Sequence, residues 1–152
     1  MALKRSLILF LMLILLLLAL VWFGTSLCQE TRAMRFQRQH MDLGTGPMGN
    51  HTYCNVMMVH RNMTRGFCKA KNTFIHEPLS SVQAICGDQS VPCKNRTMNN
   101  CYSSRYPMST TLCVLRSRPR PPNCTYITHP TIKQLITVAC DGTPLGPVHF
   151  EP

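Results

Sequence analysis

Acidic side chains are scarce in this chain: six Asp and Glu stand against sixteen Lys and Arg, a formal net charge of +10. That balance leaves little to attract a cationic partner. It points to polyanions such as nucleic acid, anionic lipid or glycosaminoglycan, although a merely solvated basic surface carries the same signature. Closely spaced cysteines are missing too. From Cys54 onward the successive gaps are 14, 18, 7, 8, 12, 11 and 16 residues, so there is no Cys-x2–4-Cys knuckle and no zinc site of that kind. No internal repeat is present, which removes solenoid and propeller architectures.

What is there begins with a targeting segment. Lys4 and Arg5 form a basic start, residues 7–23 are an almost unbroken apolar run, and Ser26 and Cys28 occupy the −3 and −1 positions before Gln29. Residues 1–28 therefore read as a cleaved signal peptide, the alternative being an uncleaved membrane anchor. Removing Cys28 leaves Cys54, Cys68, Cys86, Cys93, Cys101, Cys113, Cys124 and Cys140. Eight cysteines in a secreted chain imply four disulfides, with about 105 pairings open. Residues 29–152 are expected to form one domain with a modest core, because cross-links restrict the unfolded chain.

Residues 31–42 have helical spacing, with Thr31 as N-cap and Phe36 and His40 four apart on one face. Residues 43–51 hold three glycines and Pro47 and read as a flexible linker. Two more helices are expected over 53–61 and 78–86, burying Met57, Leu79, Val82 and Ile85. Asn72-Thr73-Phe74 is β-prone, and strands are expected over 109–115, 125–128, 135–140 and 147–150. Residues 116–123, Arg-Ser-Arg-Pro-Arg-Pro-Pro-Asn, form an exposed loop because proline cannot donate to a ladder. Pro122 and Pro144 are candidate cis peptides. Early helices and a late antiparallel sheet make the class α+β. Sequons at Asn50, Asn62, Asn95 and Asn123, the last with Cys124 as its middle residue, fit a secreted glycoprotein.

Three short segments carry the chemistry: Gln39-His40-Met41-Asp42, Cys68-Lys69-x-x-Asn72-Thr73-Phe74 and Pro147-Val148-His149-Phe150. Cleaving an RNA phosphodiester needs a base for the 2′-OH, an acid for the departing 5′ oxygen and a cation for the charge gathering on phosphorus. Two imidazoles suit the proton transfers and a fixed lysine suits the third role. Singly, each residue has a plain structural reading: a packing histidine, a strand histidine, a solvated lysine. His51, His60, His76 and His129 have no comparable context.

Together with the order of the eight cysteines, the three segments resemble the signatures of the pancreatic-type (ribonuclease A) superfamily, and the resemblance spans residues 29–151. It implies three short helices in the N-terminal half packed on a strongly bent antiparallel sheet, with bridges Cys54–Cys113, Cys68–Cys124, Cys86–Cys140 and Cys93–Cys101. It implies His40 as base, His149 as acid and Lys69 as the transition-state cation, with Gln39 and the Phe150 amide on the phosphoryl group. Thr73 would read a pyrimidine edge with Phe150 packed on the base. Arg35 and Lys94 match outer phosphate positions, and Asn100 and Asp141 would meet the next base. No metal or cofactor is implied. The implied partner is single-stranded RNA, with anionic cell surfaces and a cytosolic ribonuclease inhibitor as further partners of a secreted monomer.

The chain departs from the family pattern in three places. Leu112 stands where an aspartate commonly supports the pyrimidine-reading threonine, Glu151 where an aspartate orients the acid histidine, and Phe67 where arginine is frequent. The expected function is a secreted, metal-independent endoribonuclease cutting 3′ of pyrimidines through a 2′,3′-cyclic phosphate. The alternatives are a cationic host-defence protein, motivated by the arginine loop, and a signalling ligand with weak residual nuclease activity, motivated by Leu112 and Glu151.

Overall fold

The computed structural model describes residues 2–26, 29–44, 46–116, 120–121 and 123–152. Cys28, Pro122 and the centre of the arginine loop (residues 117–119) lie outside them. Two compact units divide the chain, residues 1–31 and 32–152. The first contains helix α1 (Ala2–Ser26), whose stretch Leu3–Trp22 is long and apolar enough to cross a membrane, with none of it buried.

The second unit follows the expected order. Helices α2 (Arg32–His40), α3 (Tyr53–His60) and α4 (Leu79–Ala84, continued by a 3-10 turn Ile85–Gly87) occupy its first half. The eight strands are β1 (Lys71–Ile75), β2 (Gln89–Val91), β3 (Cys101–Ser103), β4 (Met108–Leu115), β5 (Tyr126–Thr128), β6 (Ile132–Gln134), β7 (Thr137–Asp141) and β8 (Gly146–Glu151). All strand pairs are antiparallel. They form two hydrogen-bonded sheets, β1-β4-β5 with β6 also on β4, and β2-β3-β7-β8. The short strands β2, β3 and β6 carry no alternating apolar pattern and escape a reading by periodicity; β6 is exposed throughout.

Two apolar clusters hold these layers together. Phe36 from α2, Val82 and Ile85 from the α4 region, and Ile75, Met108, Val138 and Phe150 from the strands form one. Met58, Phe74, Tyr126 and the Cys54–Cys113 bridge anchor the other beneath α3. Val82 and Ile85 are buried as expected, but Met57 and Leu79 are only half-buried; in α3 it is Met58 that points inward. The 43–51 segment is not a free linker. Its Pro47 is buried, and a Cβ on Gly46 (φ +73) would lie 3.0 Å from both His76 Nε2 and Thr131 Oγ1, a place for glycine alone. Disulfides join Cys54–Cys113, Cys68–Cys124, Cys86–Cys140 and Cys93–Cys101, and the Thr143–Pro144 peptide is cis.

Candidate active site

β1 is an edge strand, and its free edge is covered by the end of α2. Met41 bridges to Ile75, and the Asp42 N–H donates to the Ile75 carbonyl at 3.0 Å. Two residues back along the same edge, the Thr73 carbonyl accepts from His40 Nδ1 at 2.8 Å. A carbonyl can only accept, so Nδ1 carries the ring proton and Nε2 keeps its lone pair. His40 is buried between Phe36 (ring centroids 5.1 Å) and Phe150 (5.3 Å, stacked). Burial lowers its pKa to about 4; the Thr73 carbonyl pulls the other way, and the charges of Lys69 and His149 add to the lowering. The neutral ring is the resting form.

Lys69 enters from the loop before β1, next to the bridged Cys68. Its Nζ donates to Gln39 Oε1 at 3.0 Å and to Asn72 Oδ1 at 2.9 Å, and Asn72 Nδ2 donates to the Gln39 carbonyl at 2.7 Å. Asn72 is thus the joint between the cation and α2. Burial, then the nearby Arg38 guanidinium, lowers the Lys69 pKa to about 8. No acid neutralises Lys69 in these bonds, so its charge is held ready for an anion.

His149 arrives from the other end of the chain on β8. The ladder to β7 slips there, pairing Ala139 with His149 but Cys140 with Pro147, so Val148 bulges out. His149 Nε2 lies 3.4 Å from Glu151 Oε1; the imidazole is 56% exposed and the carboxylate 5%. The other Glu151 oxygen accepts the Lys94 backbone N–H at 3.0 Å. Glutamate therefore reaches the imidazole despite its extra methylene, and also ties β8 to the Cys93–Cys101 loop.

His40, Gln39 and His149 line one cleft of about 380 Å³, with Arg32, Arg35 and Asn95 at its walls. A second cleft, about 600 Å³, contains Thr73, Phe150, Lys71 and Leu112. Leu112 is the cross-strand partner of Thr73 and is 37% exposed, presenting hydrocarbon beside the threonine. Among the described residues no group of three or more His, Cys, Asp or Glu gathers as a metal site would.

Residues 31–151 match the pancreatic ribonuclease family. The chain belongs to that family. It is 52% identical to a pancreatic ribonuclease of Lemur catta and 51% identical to one of Lagothrix lagotricha, in each case across 99% of this chain and 96% of the relative. Ribonuclease 1B of Pygathrix nemaeus is 48% identical over the same shares.

Within this pancreatic ribonuclease fold the expected outer contacts are placed unevenly. Arg35 lines the histidine cleft, and Lys94 is exposed beside it. Asn100 spends its side-chain amide on the Cys140 carbonyl at 2.7 Å, while Asp141 pairs with Arg32 at 2.7 Å and caps the Gly142 N–H at 2.8 Å. Both Asp141 oxygens thus already hold a partner. Phe67 is exposed. The joint role of Asn72, the Arg32 pair and the second bond of Glu151 were not readable from residue type. His76, which lacked context in sequence, is buried and bonded to the Asp42 carbonyl at 2.9 Å and to Thr111 Oγ1 at 2.8 Å.

Proposed function

We propose that residues 29–152, freed of a signal peptide and secreted, act as an endoribonuclease that cuts single-stranded RNA on the 3′ side of pyrimidines. The observation that carries this reading is the meeting of His40 and His149 in one cleft, with Lys69 bonded to Gln39 at its wall. In the proposed reaction the neutral His40 Nε2 takes the 2′-OH proton and O2′ attacks phosphorus. His149 gives its proton to the departing 5′ oxygen, breaking the P–O5′ bond and leaving a 2′,3′-cyclic phosphate. Lys69 meets the charge on the non-bridging oxygens. Water then opens the cyclic ester with the histidine roles exchanged.

The pyrimidine is assigned to the Thr73 cleft, with Phe150 against the ring. Thr73 already spends its carbonyl on His40, so its N–H and hydroxyl remain for the base edge. Arg35 and Lys94 are assigned to flanking phosphates, Asn100 and Asp141 to the following base. The protein is proposed to act as a monomer and, by family resemblance, to bind cytosolic ribonuclease inhibitor.

The test is cleavage of a pyrimidine–adenosine dinucleotide by the mature protein, with and without EDTA. Wild type is expected to yield the cyclic phosphate under both conditions. His149→Ala, at an exposed position, is expected to fold normally and lose about 10²–10⁴-fold in kcat. A His149→Ala protein as active as wild type would refute the assignment.

A further inference from the structure

One dipeptide in the chain, Asp141-Gly142, joins an aspartate or asparagine to glycine. It stands where β7 turns toward β8, and residues 141–145 are all exposed. Asp141 Oδ1 accepts the Gly142 N–H at 2.8 Å, a side chain bonded to the very next amide. That bond sets the Gly142 nitrogen beside Cγ, the carbon that carries Oδ1. No Cβ stands on the attacking residue, whose φ of +92° is a conformation that other residues rarely adopt. The other carboxylate oxygen is held by Arg32 at 2.7 Å, in a pair exposed on both sides. The remaining aspartates lack this arrangement. Asp42 precedes Leu43 and accepts the Tyr53 hydroxyl at 2.6 Å, while Asp88 precedes Gln89 and pairs with Arg105 at 3.2 Å. Their side chains are 17% and 19% exposed, against 54% for Asp141.

A backbone nitrogen held against a carboxyl carbon favours ring closure, because proximity replaces a chance encounter. We propose that Asp141-Gly142 is a self-modification site, converting through a succinimide to isoaspartate, with Arg32 as its restraint. The Gly142 nitrogen forms a bond to Asp141 Cγ. The amide proton, one carboxyl oxygen and a proton from solvent leave as water. Water then opens the five-membered ring and the borrowed proton returns to solvent. Attack at Cγ restores aspartate; attack at the former main-chain carbonyl gives isoaspartate. No oxidant or cofactor is consumed and the mass of the chain is unchanged. In the product the main chain runs through Cβ, and the carboxylate hangs directly from Cα. The longer main chain disturbs the Asp141–Gly146 step of the β7–β8 ladder, and the shorter carboxylate withdraws from Arg32. Conversion therefore frees a side chain that lines the histidine cleft. An exposed ion pair restrains its partners weakly, by about threefold, so Arg32 slows the reaction without preventing it. The site stands whatever reaction the cleft performs.

The experiment stores folded wild type, Asp141→Glu and Arg32→Gln for weeks at physiological temperature and neutral pH. Samples are then labelled with a methyltransferase that esterifies isoaspartate from S-adenosylmethionine, reduced, and cut with trypsin. The three aspartates fall on separate tryptic peptides, 39–61, 72–94 and 134–152. Wild type is expected to gain label in 134–152 well ahead of the other two, with a minor form of that peptide one water lighter. Asp141→Glu should gain none there, since the ring it would need has six members and closes far more slowly. Arg32→Gln should gain label about threefold faster than wild type. Label that stays at the level of the Asp42 and Asp88 peptides refutes the site. So does a folded wild type that stays unlabelled in 134–152 while the urea-unfolded chain is labelled there, because the fold would then hold the two groups apart. An unchanged rate in Arg32→Gln refutes the restraint assigned to Arg32.

Discussion

His40 sits under opposed influences. Burial disfavours its charged form, while the Thr73 carbonyl bonded to Nδ1 favours it, and burial wins, leaving a pKa of about 4 against the ordinary 6.5. The folded state thus prefers the neutral ring. Its contribution to stability is intact above pH 6.5 and is lost as pH falls toward 4, by about 3 kcal/mol in total. Urea titrations of wild type and His40→Gln between pH 7 and 4 are expected to show that extra loss in wild type alone. The acidic limb of kcat/KM should likewise lie below 6.5. Lys69, at about 8, is charged below that pH, so its share of the catalysis should fade as pH rises through it. Arg38→Gln removes a repelling charge and should raise the pKa of Lys69, read by NMR titration of its ammonium group. Residue type alone announced a base and a cation; their pKa values depend on burial.

At the scale of elements, α2 and β1 act as one unit because the edge of β1 takes the end of α2. Asn72 is the polar joint of that unit, accepting from Lys69 and donating to the Gln39 carbonyl. Asn72→Ala takes a partner from the half-buried Gln39 carbonyl and leaves Lys69 with one anchor. A stability loss of about 1–3 kcal/mol and about a tenfold fall in kcat are expected, measured by thermal unfolding and dinucleotide cleavage. Amphipathic spacing made α2 legible, since Phe36 and His40 must share a face. The bulge at Val148 was not legible, because nothing in Pro147-Val148-His149-Phe150 marks which residue leaves the ladder. Asn95 makes a related point. Its sequon is plain in sequence, but only the fold puts it on the wall of the histidine cleft. In protein from a glycosylating host, Asn95→Gln is expected to cleave long RNA several-fold faster than wild type, with the dinucleotide less affected.

At the scale of the whole molecule, three of the four bridges close long loops, with sequence separations of 59, 56 and 54 residues. Each restricts the unfolded chain far more than the short Cys93–Cys101 loop does. Replacing Cys86 and Cys140 together by alanine should cost about 2–4 kcal/mol, read as a lower urea midpoint. Residues 29–152 hold 14 Lys and Arg against six Asp and Glu. RNA binding is therefore expected to weaken steeply with salt, since each phosphate contact releases counterions.

The amino-acid order by itself determined the helix-first, strand-late layout and which groups are proposed to react, because periodicity and residue chemistry are local properties. It left the pairing of eight cysteines open to 105 solutions, and family resemblance rather than spacing singled one out. The tertiary structure alone decided that His40 meets the Thr73 carbonyl, that Glu151 reaches both His149 and the Lys94 amide, and that Asn72 joins Lys69 to α2. The physical reason is distance. These contacts join residues far apart in the chain, and hydrogen-bond geometry between them exists only once the sheets have closed.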